Sequence, residues 1–239
     1  MSRDKQSRRD QDTGLMTPEA FHANTLPNLN SRRERDLMVT HIRNSDRELA
    51  RLAGALGMFG GLTWIALAGD SILRPDPQHY RDALFLVPWT LYAVTLGCIH
   101  RLQRHGAGTI ERWGFCAVTI TATLVAIAQV DLVIGTEAIQ GLGFPLGVLA
   151  WTLGMVAFGA GTVRARVFPR RVGWAIAVSQ PLTIATALLL SAVTGGPYER
   201  GSYTGAVVHG VMMLVLAAAL RDRGRQGEAM DGRETTAVR

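Results

Sequence analysis

The chain has 239 residues, a net charge of +6 and a mean hydropathy of +0.15, values that alone would suit a large soluble domain. Its charge, however, is concentrated in residues 1–51, in short connecting stretches and in residues 221–239, and the remainder forms long apolar blocks. This segregation is typical of a protein that crosses a membrane several times. It also argues against nucleic-acid binding, because the arginine excess lies beside the apolar blocks, where membrane topology already calls for it.

The N-terminal region is hydrophilic. Residues 1–28 lack apolar periodicity and mix both signs of charge, so we predict that they are disordered. Residues 30–44 combine apolar side chains with arginines, a composition that fits a helix on the inner membrane surface and equally a solvated helix or linker. Ser45 and Glu48 have the spacing of a capping box, which predicts that the first membrane helix starts near Asp46.

Six apolar blocks follow, each about 17 to 23 residues long, the length that an α-helix needs to cross a hydrocarbon core of about 30 Å. They are Leu52–Ile72, Ala83–Ile99, Trp113–Ile134, Gly141–Val163, Val172–Val193 and Tyr203–Leu220. The sequence therefore predicts an all-α protein with three parts. An arginine-rich, largely disordered region (1–45) precedes a six-helix transmembrane bundle (46–220), and a disordered tail (221–239) follows it.

The arginines alternate between the two ends of the predicted bundle. One end has Arg101, Arg104, Arg112, Arg164, Arg166, Arg170, Arg171, Arg221, Arg223 and Arg225, together with the arginines up to Arg51. The intervening loops hold only Arg74 and Arg81, then none in 135–140, then Arg200. Positive residues stay on the cytoplasmic side, so we predict a multi-pass protein of the cell membrane with both termini in the cytoplasm.

Small residues recur at intervals of three and four along the fourth block. They are Gly143, Gly147, Ala150, Gly154, Ala157 and Gly161. The first block has a shorter version, Gly57 and Gly61. In lipid, a face without large side chains lets another backbone approach closely, which favours tight packing inside the bundle and has a homo-oligomer face as its alternative.

Four polar side chains inside or at the ends of the apolar blocks are candidates for a ligand site or proton path, because such groups are costly in a membrane. They are Asp70, Asp131, Gln180 and His209. In a compact bundle, Asp131 and His209 could share one outward-facing cavity. The alternative is structural: Asp131 ends its helix, His209 makes a single core hydrogen bond, and Gln180 lies at a packed bend next to Pro181.

The sequence contains only two cysteines, no metal-ligand spacing and no Walker, serine-hydrolase or kinase motif, so we predict no metal or cofactor. Three functions remain open. The first, which we prefer, is a non-enzymatic accessory, regulatory or immunity-type component whose arginine-rich surface meets a protein partner or anionic lipid. The second is a secondary transporter that uses Gln180, Asp131 and His209. The third is a membrane-embedded acid/base enzyme acting on a lipid or isoprenoid, with Asp131 or Asp70 as the acid and His209 as its partner.

Overall fold

A computed structural model of the chain describes residues 29–74, 76, 78–135, 140–194 and 203–237. Within these ranges it contains six α-helices: α1 (Leu29–Leu73), α2 (His79–Gln103), α3 (Thr109–Ile134), α4 (Gln140–Ala165), α5 (Arg170–Thr194) and α6 (Ala206–Ala237). The predicted disorder of residues 1–28 lies outside the described residues. The chain divides into two units, Met1–Ser45 and Asp46–Arg239, and the helix bundle belongs to the second.

Five of the helices are long and apolar enough to cross a membrane. Their candidate spans are Asn44–Leu73, His79–Gln103, Thr109–Ile134, Leu146–Ala165 and Arg170–Leu190. They suggest a membrane location. In α6, by contrast, the apolar part comprises only residues 206–220, because the helix begins at Ala206 and Arg221 follows Leu220 directly. That part is about 22 Å long at 1.5 Å per residue, which is short for a span.

Two helix ends differ from the sequence-based expectation. α1 begins at Leu29 and passes without a break through Ser45 and Glu48, so the capping-box residues do not start a helix here. A helix that is already nucleated upstream extends by one hydrogen bond per residue and needs no new cap. α6 continues to Ala237 through the stretch for which we expected disorder, and that stretch is rich in the good helix formers Arg, Gln, Glu, Ala and Met.

The core of the bundle is an aromatic cluster shared by α1, α2 and α4. Trp64 meets Phe85 with ring centroids 5.2 Å apart, and Phe85 in turn stacks on Trp89 at 5.3 Å. Trp89 contacts Trp151 of α4 at 4.6 Å, and Tyr92 is fully buried beside it. These side chains connect helices that are far apart in the sequence.

Glycines set the spacing between α3 and α4. A Cβ atom at Gly154 would lie 3.1 Å from Ala117 Cβ, and one at Gly161 would overlap Glu111. Gly147 faces Val125 of α3, with 3.6 Å between its hypothetical Cβ and Val125 Cγ2. These three members of the glycine ribbon thus lie against α3 within the same chain. The side-chain surroundings of residue 143 lie outside the described part of the structure.

Gly57 and Gly61 of α1 lie against α6, and Gly57 also lies against Thr95 of α2. A Cβ at Gly57 would lie 3.3 Å from Ala217 Cβ, and one at Gly61 would lie 2.9 Å from the carbonyl oxygen of Gly210. Near the start of the α1 span, a Cβ at Gly54 would lie 3.1 Å from the carbonyl oxygen of Ala217. α1 and α6 are therefore in close backbone contact over several turns.

Candidate functional site

A buried arginine ties the end of α1 to the start of α2. Arg81 is fully buried and donates from Nε to Asp70 Oδ2 at 2.7 Å. Its Nη2 donates to the carbonyl oxygens of Asp70 (3.1 Å) and Arg74 (2.6 Å), and its Nη1 to that of Asp76 (3.0 Å). Every nitrogen of the guanidinium thus has an acceptor in the α1–α2 connection. Tyr80 OH also donates to Asp70 Oδ2.

Next to this arginine, Tyr203 joins three helices. Its hydroxyl donates to Asp82 Oδ1 at 2.6 Å, and its backbone N–H donates to Ser71 Oγ at 2.9 Å. Gln129 of α3 donates from Nε2 to the carbonyl oxygen of Asp82 at 2.9 Å and to the Tyr203 hydroxyl at 3.3 Å. We refer to Asp70, Arg81, Asp82, Gln129 and Tyr203 together as the Arg81 cluster.

Of the four candidates from the sequence, Asp70 belongs to the Arg81 cluster, and His209 lies in an aromatic cage. The His209 ring is 5.4 Å from each of the Trp64 and Tyr92 rings. Its Nδ1 is 3.2 Å from Thr183 Oγ1, whose own proton goes to the Ser179 carbonyl oxygen at 2.7 Å. Nδ1 must therefore carry the hydrogen, which leaves Nε2 as a buried acceptor that has no hydrogen-bond partner among the described residues.

Neither of the remaining two candidates is hydrogen-bonded to the His209 ring. Neither ring nitrogen of His209 bonds to Asp131, which is half-buried on α3. Gln180 is buried on α5 beside Pro181. Two surface pockets, of about 310 and 300 Å³, are lined by none of the three. Asp131 and His209 are thus not joined by a hydrogen bond, and the cavity predicted between them has no such support.

A second polar cluster lies at the opposite end of the bundle, where α2 ends and α3 begins. Glu111 is fully buried, and its Oε1 is 2.7 Å from His100 Nδ1 and 2.8 Å from Gln103 Nε2. Gln103 Nε2 also donates to Thr162 Oγ1 of α4 at 3.0 Å. The Thr162 hydroxyl donates its proton to the Phe158 carbonyl oxygen at 3.0 Å, so it can only accept from Gln103. We refer to His100, Gln103, Glu111 and Thr162 as the Glu111 cluster.

The Glu111 cluster contains two buried oxygens, Glu111 Oε2 and Gln103 Oε1, that have no hydrogen-bond partner in the part of the chain that the structure describes. Gln103 Oε1 is a hydrogen-bond acceptor, and so is Glu111 Oε2 when the carboxylate is ionised. A further hydrogen-bond donor, or a proton on the carboxylate itself, would satisfy them. The His100 side chain is 27% exposed and its ring stacks on Phe115 at 4.0 Å between centroids. Water can thus reach the imidazole, which in turn contacts the buried carboxylate.

This geometry suits proton exchange. His100 Nε2 can accept a proton from water while Nδ1 passes its own to Glu111 Oε1, so that one proton moves onto the carboxylate and the imidazole stays neutral. Sequence reasoning did not select Glu111, which lies beside Arg112 in a charged turn. The available signal was the spacing of His100 and Gln103, which places both side chains on one face at the end of α2.

Among the described residues, no group of three or more His, Cys, Asp or Glu side chains could hold a metal ion. Cys98 and Cys116 are free thiols. No known protein family, curated protein or solved structure matches the chain. Its function must therefore be inferred from the two clusters and from the surface of the bundle.

Proposed function

We propose that the chain is a non-enzymatic accessory or regulatory protein of the cell membrane, a bundle that crosses the bilayer six times with both termini in the cytoplasm. The observation that carries this proposal is Arg81. Its guanidinium donates four of its five N–H groups to acceptors in the α1–α2 connection. A guanidinium that bound a substrate or stabilised a transition state would direct most of its donors to that ligand. These contacts support a structural role for the Arg81 cluster.

The sixth crossing is supported by the contacts of α6 with α1, which extend along most of the α1 span. Tyr203, just before α6, contacts Ser71 at the end of the α1 span. Further along, Gly210 meets Gly61, and a Cβ at Gly54 would lie close to the Arg221 backbone N, 3.3 Å away. From residue 54 to residue 71 a helix rises about 26 Å. If α1 crosses the membrane, α6 covers most of the same depth in the opposite direction.

The topology can be tested by cysteine labelling in intact cells, in a background that carries Cys98→Ala and Cys116→Ser. An impermeant thiol reagent should label Glu137→Cys and Glu199→Cys, because both lie in arginine-poor loops. It should label Arg166→Cys and Arg225→Cys only after the membrane is permeabilised. Labelling of Arg225→Cys in intact cells would mean that α6 does not cross, and labelling of Arg166→Cys would reverse the orientation.

The Glu111 cluster favours a second candidate, a proton-coupled secondary transporter. Glu111 is fully buried, one of its oxygens has no partner among the residues described, and the other contacts a partly exposed histidine. Such a carboxylate can be loaded with a proton from one side of the membrane. In such a transporter, Glu111 would alternate between its ionised and protonated forms. Transport would then depend on the carboxyl group itself, not merely on the hydrogen bonds that it accepts.

Purified protein in lipid vesicles that contain a pH-sensitive dye separates the two candidates. An accessory protein should give the same background proton leak in wild type, in Glu111→Gln and in the matched control Glu48→Gln, whose carboxylate is exposed. A transporter should move protons when a solute gradient is imposed, and Glu111→Gln alone should reduce that flux to background. The amide can still accept from His100 and Gln103, so elution as a folded species checks that the loss is not unfolding. The same vesicles, analysed for altered lipids, test the enzyme alternative.

A further inference from the structure

The turn between α4 and α5 carries a cationic pocket. The pocket has a volume of about 300 Å³ and is lined by Val163, Arg164, Arg166, Arg170 and Trp174. Among the residues that the structure describes, none provides a hydrogen-bond acceptor or a counter-ion to these three arginines. Two nearby arginines behave differently: Arg171 lies 3.9 Å from Asp222, and Arg223 donates to the Val167 carbonyl oxygen. Three exposed positive charges thus converge on one pocket without compensation.

Contacts with the core and with α6 hold the α4–α5 turn in place. Phe168, in the middle of the turn, is buried in the core. Arg223 of α6 lies over its ring, 5.1 Å from the centroid, and donates from Nη1 to the Val167 carbonyl oxygen at 2.8 Å. Arg166 adopts a left-handed conformation with φ of 54°, which reverses the chain directly after α4. Because the turn is anchored by the core and by α6, its arginines are presented from a fixed backbone.

The pocket has a polar side and an apolar side. Arg170 opens α5, whose first turn contains no acidic residue, so the free N–H groups of that helix end add to the positive potential. Trp174 follows one turn later and is 60% exposed, and Val163 lies one turn before Arg166. An exposed tryptophan near the end of a membrane span suits the interface between headgroups and acyl chains.

We infer that this pocket binds the phosphate of an anionic membrane lipid, such as phosphatidylglycerol, with the acyl chains beside Trp174 and Val163. Guanidinium groups match phosphate oxygens in bidentate fashion, and three of them around one pocket exceed what diffuse attraction to a surface requires. The apolar wall distinguishes a lipid from a free phosphate ion, which would gain nothing from tryptophan. The inference depends on the membrane location of the bundle but not on its proposed function or on the sixth crossing.

The site can be tested with the purified full-length chain in mixed micelles, by quenching of tryptophan fluorescence with lipids brominated in the acyl chain. Wild type should show saturable quenching by brominated phosphatidylglycerol and only weak, non-saturating quenching by brominated phosphatidylcholine. Changing Arg164, Arg166 and Arg170 together to Gln should weaken phosphatidylglycerol binding on the order of a hundredfold, since each lost charge-assisted contact with the phosphate contributes about fivefold or more. The side chains of the three residues make no hydrogen bond within the described part of the bundle, so the variant should fold.

A matched control removes the same charge elsewhere. Arg101, Arg104 and Arg112 lie around the α2–α3 turn, at the same end of the bundle, and changing all three to Gln should leave saturable binding within about threefold of wild type. A second variant, with Lys at positions 164, 166 and 170, keeps the charge and should weaken binding severalfold, because lysine cannot form bidentate contacts.

Three results would overturn the inference. Equal losses in the two Gln triple variants would mean that only general surface charge attracts the lipid. Equal quenching by the two lipids would exclude recognition of the anionic headgroup. Complete competition by millimolar inorganic phosphate, without any advantage for the lipid, would identify a free-anion site instead. Results of the vesicle or labelling experiments that contradict the proposed function would leave this test unaffected, since it measures lipid binding alone.

Discussion

Gly114→Ala should destabilise the bundle by about 3 kcal/mol or more, although it adds a single methyl group. The new Cβ would overlap the backbone nitrogen of Phe158 and would lie 2.8 Å from the carbonyl carbon of Ala157. A backbone cannot rotate away as a side chain can, so α3 and α4 would have to separate along their contact. Unfolding of the purified protein by a denaturing detergent, followed by tryptophan fluorescence, measures the loss.

Gly69→Ala is the matched control, because a Cβ at Gly69 of α1 has nothing within 4 Å. Alanine is the better helix former by up to about 1 kcal/mol, so this variant should be neutral or slightly more stable than wild type. The same chemical change should therefore be strongly destabilising at Gly114 and neutral or slightly stabilising at Gly69. Similar losses of stability in both variants would show that helix propensity or the preparation of the protein, not the α3–α4 contact, determines the result.

Arg81→Met is expected to have the second large effect. Methionine fills a similar volume but leaves the carbonyl oxygens of Arg74 and Asp76 without their donor, whereas that of Asp70 keeps the backbone N–H of Arg74. At roughly 1 kcal/mol for each unpartnered acceptor, the loss is about 2 kcal/mol, without counting the Asp70 carboxylate. The same detergent titration measures it, and limited proteolysis should show earlier cleavage in the α1–α2 connection.

Arg74→Met provides the comparison within the same connection. The Arg74 side chain is 68% exposed and its Nε lies 3.7 Å from Asp70 Oδ1, the geometry of a weak surface ion pair. We expect little change in stability. An effect as large as that of Arg81→Met would mean that the charge of the connection matters and the buried hydrogen bonds do not.

The sequence predicted the central helices well and the ends of the bundle poorly. The block Ala83–Ile99 falls inside α2, and Trp113–Ile134 falls inside α3. Such helices are predictable because a segment in an apolar environment consists mainly of apolar residues. A helix over residues 30–44 was considered, but its unbroken continuation into the first span was not predicted. Capping signals are short-range, and a helix that already extends through them does not use them.

The clusters were harder to predict, since burial of a charged residue depends on its partners in space. Asp70 stood out because it closes an apolar block. Arg81 was counted only among the arginines of the intervening loops and Glu111 was not singled out, yet both are fully buried. For Glu111, the signal is spatial: it packs against Gly161 and is bonded by Gln103, residues of two other helices. Periodicity within one helix could not reveal that.

The buried Arg81 also bears on how the protein is made. Arginines in loops that must cross the membrane oppose insertion, and on the proposed topology Arg81 is one of them. Its carboxylate partner Asp70 lies only 11 residues earlier and is therefore synthesised first. The α1–α2 hairpin can thus neutralise the charge on its own, before α3 exists. Arg81 would then travel across the bilayer as half of an ion pair, and would not count as a signal for cytoplasmic retention.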